Sequence, residues 1–355
     1  MKRVAIIGSV GVPANYGGFE TLVENLIGEN CSKEIEYTVY CSKRNYYDRP
    51  SMYKDAHLRY VDMAANGVQS ILYDGISLLQ TLKGYDVALV LGVSGGIFFP
   101  FFKLFSKAKL VTNIDGLEWK RGKWKGVARL FLRLSEEFAL RYSDIVIADN
   151  QGIVDYIEER YKKKVVFIAY GGDHVERNVP VKTAKKVLAH HGIKSKEYAI
   201  MVARIEPENN CEMILGAFTK VEMPILMVGN WSRSRYGKEL RAKYAKYANI
   251  KLVDSIYDLD ILYSLRSNAR FYIHGHSAGG TNPSLVEAVF CGCDILAFDV
   301  VYNRETTENC AHYFSDEQQL EALISSCQDR SADTTEIAKR CYCWRNIASE
   351  YQELY

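Results

Sequence analysis

Short apolar runs, each followed by a segment of helical character, recur along the chain, and this alternation limits the architecture more than any other feature. Residues 4–7, 37–40, 87–91, 110–113, 145–148 and 165–169 form a first series. Residues 198–203 open a second, which continues through 225–228, 250–253, 271–273 and 295–298. Strands this uniformly apolar need cover on both faces, and helices between successive strands supply it. Each series therefore predicts a doubly wound parallel sheet. Between them, residues 170–196 carry Gly171-Gly172, Pro180 and a lysine-rich stretch with few positions that demand burial. The α/β chain thus reads as two successive Rossmann-like domains, 1–172 and 173–334. In 335–355, Ile337, Cys341, Trp344, Ile347, Ala348, Tyr351 and Leu354 recur at spacings of three and four. That spacing predicts a closing amphipathic helix, packed back on the N-terminal domain.

With 355 residues, 48% of them hydrophobic and 25% charged, the chain has room for two such domains and excludes disorder. A formal charge of +2 argues against nucleic acid as a partner. The charge is uneven, however. Residues 97–133 hold nine Lys and Arg against Asp115 and Glu118, a local balance of +7. Aromatic rings stand among these cations, in Ile97-Phe-Phe-Pro-Phe-Phe-Lys-Leu-Phe105 and Trp119-Lys-Arg-Gly-Lys-Trp-Lys125. Rings at headgroup level beside cations facing anionic lipid predict peripheral membrane contact through Trp119, Lys120, Arg121 and Trp124.

The longest uncharged run, 87–102, is 16 residues and contains Gly95-Gly96 and Pro100, short of the roughly 20 that a spanning helix needs. The opening Met1-Lys-Arg-Val-Ala-Ile-Ile is broken by Gly8, Gly11 and Pro13 and reads as a buried strand, not a signal peptide. Nine cysteines, none in a CxxC pair, fit a reducing cytoplasm and no zinc site. The expected location is cytoplasmic, at the inner face of the cell membrane.

Candidate chemistry gathers where strands end. After residues 271–273 comes His274-Gly-His-Ser-Ala-Gly-Gly-Thr-Asn-Pro-Ser-Leu-Val-Glu287, in which Gly279 and Gly280 let backbone approach a ligand and Pro283 opens a helix. The amides of that first turn are expected to face an anionic, hydroxyl-rich ligand. Arg204 stands at the end of residues 198–203, where a guanidinium could grip a diphosphate or pair with Glu206 or Glu208 instead. The first strand runs into Gly8-Ser-Val-Gly11, then Gly17-Gly18 and Glu20. This is not G-x-G-x-x-G, and the second strand ends on Lys43-Arg44 with no acid, so of the nicotinamide readings only an NADP oxidoreductase remains open. In Asn113-Ile-Asp-Gly-Leu-Glu-Trp119, Asp115 and Glu118 are placed to meet an acceptor, with Asp115 the candidate base or else a helix cap. Asp258 and Asp260 form a D-x-D that reads as first-turn helix acids, not a metal site.

In this order the motifs resemble the GT-B glycosyltransferases of family 4, most closely the bacterial rhamnosyltransferases of capsule and cell-wall polysaccharide synthesis. The resemblance rests on Gly17-Gly18-x-Glu20, Asn113-x-Asp-Gly-Leu-Glu-Trp119, Ala203-Arg-x-x-Pro-Glu208, residues 279–287 and the closing helix. It implies a GT-B fold, two Rossmann-like domains facing a central cleft with the last helix crossing back. It implies a retaining transferase that needs no metal or other cofactor and moves L-rhamnose from dTDP-L-rhamnose, in β-1,4 linkage, to a sugar on a lipid diphosphate.

In those terms Gly17, Gly18 and Glu20 meet donor phosphate and acceptor, Arg204 holds the diphosphate, and Glu287, the second acid of E-x7-E, holds the ribose. The first acid of that motif falls at Gly279 and the family's phosphate lysine at Asn209. His276, Gly280, Thr281 and Asn282 are then left to bind a differently shaped sugar, with Arg233 or Arg235 helping on phosphate. The rival expectations are a UDP or GDP hexose donor, the NADP oxidoreductase, and a non-catalytic sugar-nucleotide binder.

Overall fold

The structure, a computed structural model, describes residues 1–14, 17–30, 34–114, 116, 119, 126–278, 280–326 and 334–355. The chain divides into two compact units, Met1–Tyr170 with Trp344–Tyr355, and Gly171–Cys343. The first runs β1 (Lys2–Ile7), α1 (Gly18–Gly28), β2 (Ile35–Ser42), β3 (Met52–Tyr53), β4 (Ala56–Val61), α2 (Gln69–Gln80), β5 (Val87–Leu91), α3 (Phe99–Phe105), β6 (Lys109–Asn113), α4 (Gly126–Tyr142), β7 (Ile145–Ala148), α5 (Gln151–Tyr161) and β8 (Val166–Phe167). The second runs α6 (Val181–His190), β9 (Ala199–Val202), α7 (Cys211–Phe218), β10 (Ile225–Val228), α8 (Arg235–Tyr244), β11 (Ile250–Val253), α9 (Leu259–Ser267), β12 (Phe271–His274), α10 (Pro283–Val289), β13 (Asp294–Phe298), α11 (Val301–Thr306), β14 (His312–Phe314), α12 (Glu317–Ser326) and α13 (Thr335–Cys341). The last helix, α14 (Trp344–Glu353), belongs to the first unit.

Both sheets are doubly wound, as the alternation predicts. In the first the order is β3-β4-β2-β1-β5-β6-β7-β8, parallel throughout except for β3 against β4. In the second it is β11-β10-β9-β12-β13-β14, all parallel. Val4–Ile7 in β1 and all of β5 are fully buried, which is why their sequences are unbroken apolar runs. The chain winds outward from β1 on one side and from β5 on the other, and likewise from β9 and β12. The connections leaving each pair of adjacent central strands therefore run to opposite sides, which opens a crevice at the carboxyl ends.

Three strands escape an apolar-run reading. In β4, Ala56 and Leu58 are buried while His57 and Arg59 face outward, the half-buried alternation of a strand near a sheet edge. The others, β3 and β14, are only two and three residues long. The single closing helix expected over 335–355 is two helices. Tyr342 leaves helical geometry at φ −125°, its hydroxyl donates to the Thr306 carbonyl (3.0 Å), and its own carbonyl accepts from Gly172 N–H (2.8 Å). Those bonds tie α13 and Tyr342 to the second unit. The helix α14 instead seats Trp344 edge-on to Tyr170, with ring centroids 4.9 Å apart, and lets the Tyr351 hydroxyl accept from Asn113 Nδ2 at 2.6 Å. Among the described residues no helix is long and apolar enough to cross a membrane.

Candidate functional site

In the second unit the loops after β9 and β12 lie side by side at the switch point and are tied together by buried polar bonds. Asn209 Nδ2 donates to the Arg204 carbonyl (2.7 Å), and Asn209 Oδ1 meets His276 Nδ1 (2.8 Å). Asn210 Nδ2 donates to Gly275 O (2.8 Å), Ser277 N–H and Oγ both donate to Glu208 O (2.9 Å each), and Asn303 Nδ2 donates to His276 O (2.9 Å). A Cβ on Gly275 would collide with the Asn209 carbonyl oxygen, so the contact requires glycine there. Asn209 and His276, expected to touch donor, are both buried and hold the two loops in register. Burial, and then the nearby His276, push the His274 imidazole well below its ordinary value, so the ring is neutral.

What this scaffold presents is Arg204. Its side chain is 35% exposed, and its ion-pair partner among the described residues, Glu206, stands at 3.8 Å, beyond hydrogen-bond length. The surface pairing foreseen for this arginine exists but is loose. Arg235 has turned outward and pairs with Glu239 at 2.6 Å. Gly279 lies outside the described residues; Gly280, Thr281 and Asn282 are half-buried beside it.

The first turn of α10 does not supply the expected amides. Pro283 has none, Ser284 N–H is capped by Asn282 Oδ1 (3.0 Å), and Leu285 and Val286 N–H reach the Asn282 carbonyl (2.9 and 3.2 Å). With its amides occupied, this seven-residue helix offers no anion site of its own.

Glu287 sits one turn further along. Its Oε2 pairs with Arg266 Nη2 at 2.6 Å and its Oε1 lies 3.6 Å from His174 Nε2. Burial would raise this carboxyl, but the Arg266 guanidinium, aided by His174, more than offsets it and holds Glu287 below the usual carboxylate range. Arg266 is 1% exposed, and its Nε and Nη1 make no hydrogen bond. The signal for it was an arginine on the buried face of α9, next to Leu262 and Leu265, a position that sequence reasoning passed over. Nearby, Asp258 caps α9 through the amides of Asp260 and Ile261, and Asp260 pairs with Arg177. The D-x-D is thus a helix start, as read.

In the first unit the loop between β1 and α1 is held by two acids one turn apart on α1. Glu20 Oε1 accepts from Val10 N–H (2.6 Å) and Glu24 Oε2 from Ala14 N–H (2.5 Å). Burial raises the Glu20 carboxyl, against the lowering effect of the Val10 amide that it accepts. Gly17, at φ +132°, has no room for a Cβ against that carboxylate, and Gly18 begins α1. Asp115, Glu118, Lys120, Arg121 and Trp124 lie outside the described residues.

Trp119, expected at a lipid surface, is described. Half-buried, it donates through Nε1 to Glu136 Oε2 (3.0 Å) beneath the Arg129 and Arg133 guanidiniums, 5.4 and 5.8 Å from its ring. Exposed apolar side chains in this part of the sequence include Ile97, Phe101, Leu104 and Phe105 at and along α3, and Val127, Leu130 and Leu134 along α4.

Two units, each a parallel sheet wound on both faces with its polar loops at a central switch point, constitute the GT-B fold. Solved structures with this architecture over nearly the whole chain include sucrose-phosphate synthase from Thermosynechococcus elongatus, at TM-score 0.82 and 14% identity, covering 100% of this chain and 98% of that one. HepE from Anabaena in complex with UDP and glucose follows at 0.78 and 14%, covering 99% and 98%. A glycosyltransferase from Rickettsia africae has TM-score 0.74 and 15% identity, covering 100% and 97%. At such identities the likeness is one of fold. Residues 1–173 match a domain of unknown function, DUF1972. No curated protein matches the chain in sequence.

The Arg266–Glu287 pair leads to a stability prediction. Arg266→Met leaves a mostly buried carboxylate with only His174 beside it and is expected to lower the unfolding free energy by about 3 kcal/mol at pH 7 in urea titrations, with Arg266→Met/Glu287→Gln recovering most of the loss. Without the guanidinium burial raises the Glu287 carboxyl, whereas in wild type Arg266 holds it below the usual range, so the difference is fully present above the variant's raised value and is lost as pH falls through the wild type's depressed one. Equal losses in the single and double variants at every pH would show that the pair contributes nothing specific.

Proposed function

We propose that the protein is a glycosyltransferase that takes a hexosyl group from a nucleoside-diphosphate sugar. The observation that carries this reading is Arg204: a half-exposed guanidinium at a β9/β12 switch point, on a loop locked by Asn209 and His276, with its carboxylate partner 3.8 Å away. A preorganised cation of this kind suits the charge that builds on a departing diphosphate. The GT-B fold of HepE, solved with UDP and with UDP-glucose, supports a nucleotide-sugar donor.

The finer proposal is transfer of L-rhamnose from dTDP-L-rhamnose, with retention and in β-1,4 linkage, to a sugar carried on a lipid diphosphate. Its support is the glycine at position 279, where the resemblance expects an acid for donor hydroxyls. The bond from the anomeric carbon to the diphosphate breaks, the acceptor oxygen bonds to that carbon on the same face, and the departing phosphate oxygen takes the acceptor proton. Arg204 stabilises that oxygen, Glu287 holds the ribose and Asp115 orients the acceptor. No metal or other cofactor enters the scheme.

A lipid-linked acceptor requires the enzyme to work at a bilayer surface, on its cytoplasmic side. The exposed apolar side chains of α3 and α4, interspersed with Lys107, Arg129 and Arg133, support peripheral contact there.

Arg204→Ala is expected to lower turnover by about 100-fold or more, the value of one preorganised donor to a developing oxyanion. A near-wild-type rate would assign this arginine to structure. In calorimetry dTDP should saturate the protein where UDP does not; the reverse preference removes rhamnose as donor. Leu104→Asp with Leu130→Asp should weaken sedimentation with anionic liposomes by about tenfold and leave turnover on a soluble acceptor intact. Unchanged sedimentation would place the bilayer elsewhere.

A further inference from the structure

Arg266 on α9 is a buried guanidinium with an incomplete set of partners. It is 1% exposed, its Nη2 lies 2.6 Å from Glu287 Oε2, and its Nε and Nη1 make no hydrogen bond. Stability alone does not call for such a group. A buried ion pair is often no better than two well-packed apolar side chains, and the two unmet donors add the cost of their lost hydration. What Arg266 does achieve is to keep Glu287 ionised in a largely buried place.

The pairing also makes the two oxygens of Glu287 unequal. Oε2 stands against Arg266, a residue closed to solvent, whereas Oε1 lies 3.6 Å from His174 Nε2, beyond hydrogen-bond length. The side chains of Glu287 and His174 are 19% and 18% exposed, so the carboxylate reaches solvent on its Oε1 side. An ionised carboxylate only accepts, and the group offered to a ligand here is one acceptor oxygen. A cis-diol is held best by two oxygens, one for each hydroxyl; a single hydroxyl needs one.

We infer that Arg266 determines donor specificity: by holding Oε2 it leaves Glu287 a single oxygen for the nucleoside sugar, which fits the lone 3′-hydroxyl of a 2′-deoxyribose and gains nothing from a ribose 2′-hydroxyl. Arg266 acts through Glu287 and is a positioning residue. The inference rests on the transferase reading, in which Glu287 holds the pentose of the donor. It adds that the donor class is a 2′-deoxynucleoside diphosphate sugar, whatever hexose it carries.

The test is calorimetric titration of the full chain with two pairs of diphosphates that differ only at the 2′ position, dTDP with 5-methyluridine diphosphate and dUDP with UDP. In wild type the members of a pair should bind within about twofold of each other, and Glu287→Gln should weaken both by the same factor of about ten, since each loses one charge-assisted hydrogen bond. A ribose member bound about tenfold more tightly, with that advantage lost in Glu287→Gln, would put both oxygens on a diol and overturn the inference. Arg266→Met frees Oε2 and should create a preference of about fivefold for the ribose member. A purely structural role would weaken both members alike, and an unmoved ratio in the folded variant removes Arg266 from specificity. Should Arg266→Met fail to fold, the wild-type and Glu287→Gln ratios decide. Binding that Glu287→Gln leaves unchanged would keep the nucleotide-sugar reading and overturn this inference, whereas failure of all the diphosphates to bind would remove both.

Discussion

A strand covered by helices on both faces has no room for polar side chains along its length, and in a parallel sheet the ends are the one place left for them. This constraint organises both units. Val4–Ile7 and the whole of β5 are apolar and buried, and the polar residues that follow them are crowded into the loops at the carboxyl edge. Where the winding reverses, between β1 and β5 and again between β9 and β12, two such loops meet. The location of any site in this fold is thus a consequence of how the sheets are covered. What each loop residue does there depends on its neighbours.

Most of the acidic residues in these places are committed to holding the protein's own backbone or side chains. Glu20 and Glu24 each accept an amide of the loop between β1 and α1, Glu136 accepts an indole and two phenols, and Glu287 pairs with a buried arginine. Burial of such groups is tolerable only because each has found donors, and their removal leaves those donors unsatisfied. Arg204 differs. It is half exposed, and its 3.8 Å approach to Glu206 is the kind of surface pairing that contributes little to stability. A cation held in place through its backbone, with its side chain loosely engaged, is available to an anionic ligand.

Legibility in the sequence followed burial. The central strands were visible because two-sided burial writes continuous apolar runs, and the two-unit α/β organisation followed from their spacing. The half-buried β4, with His57 and Arg59 between its apolar positions, was not visible to the same reading, nor were β3 and β14 at two and three residues. The closing segment was periodic enough to read as one helix, and only the long-range bonds of Tyr342 to Gly172 and Thr306 divide it. Within the site, the motif positions of Arg204 and Glu287 could be named, while Arg266, which holds Glu287, could not. An arginine 21 positions away in sequence carries no local mark of the carboxylate it will meet.

By itself the sequence determined the fold class, the positions of the glycines and prolines that break its elements, and which strand ends carry polar clusters. These follow from local periodicity and from backbone conformations that only certain residues adopt. The tertiary structure decided which polar groups face one another. It placed the Asn282 side chain and carbonyl on the amides of α10, Asn209 between the two loops of the second unit, and Trp119 on Glu136. Hydrogen bonds and ion pairs act over about 3 Å and are indifferent to separation along the chain, so their partners exist only once the sheets have brought distant loops together.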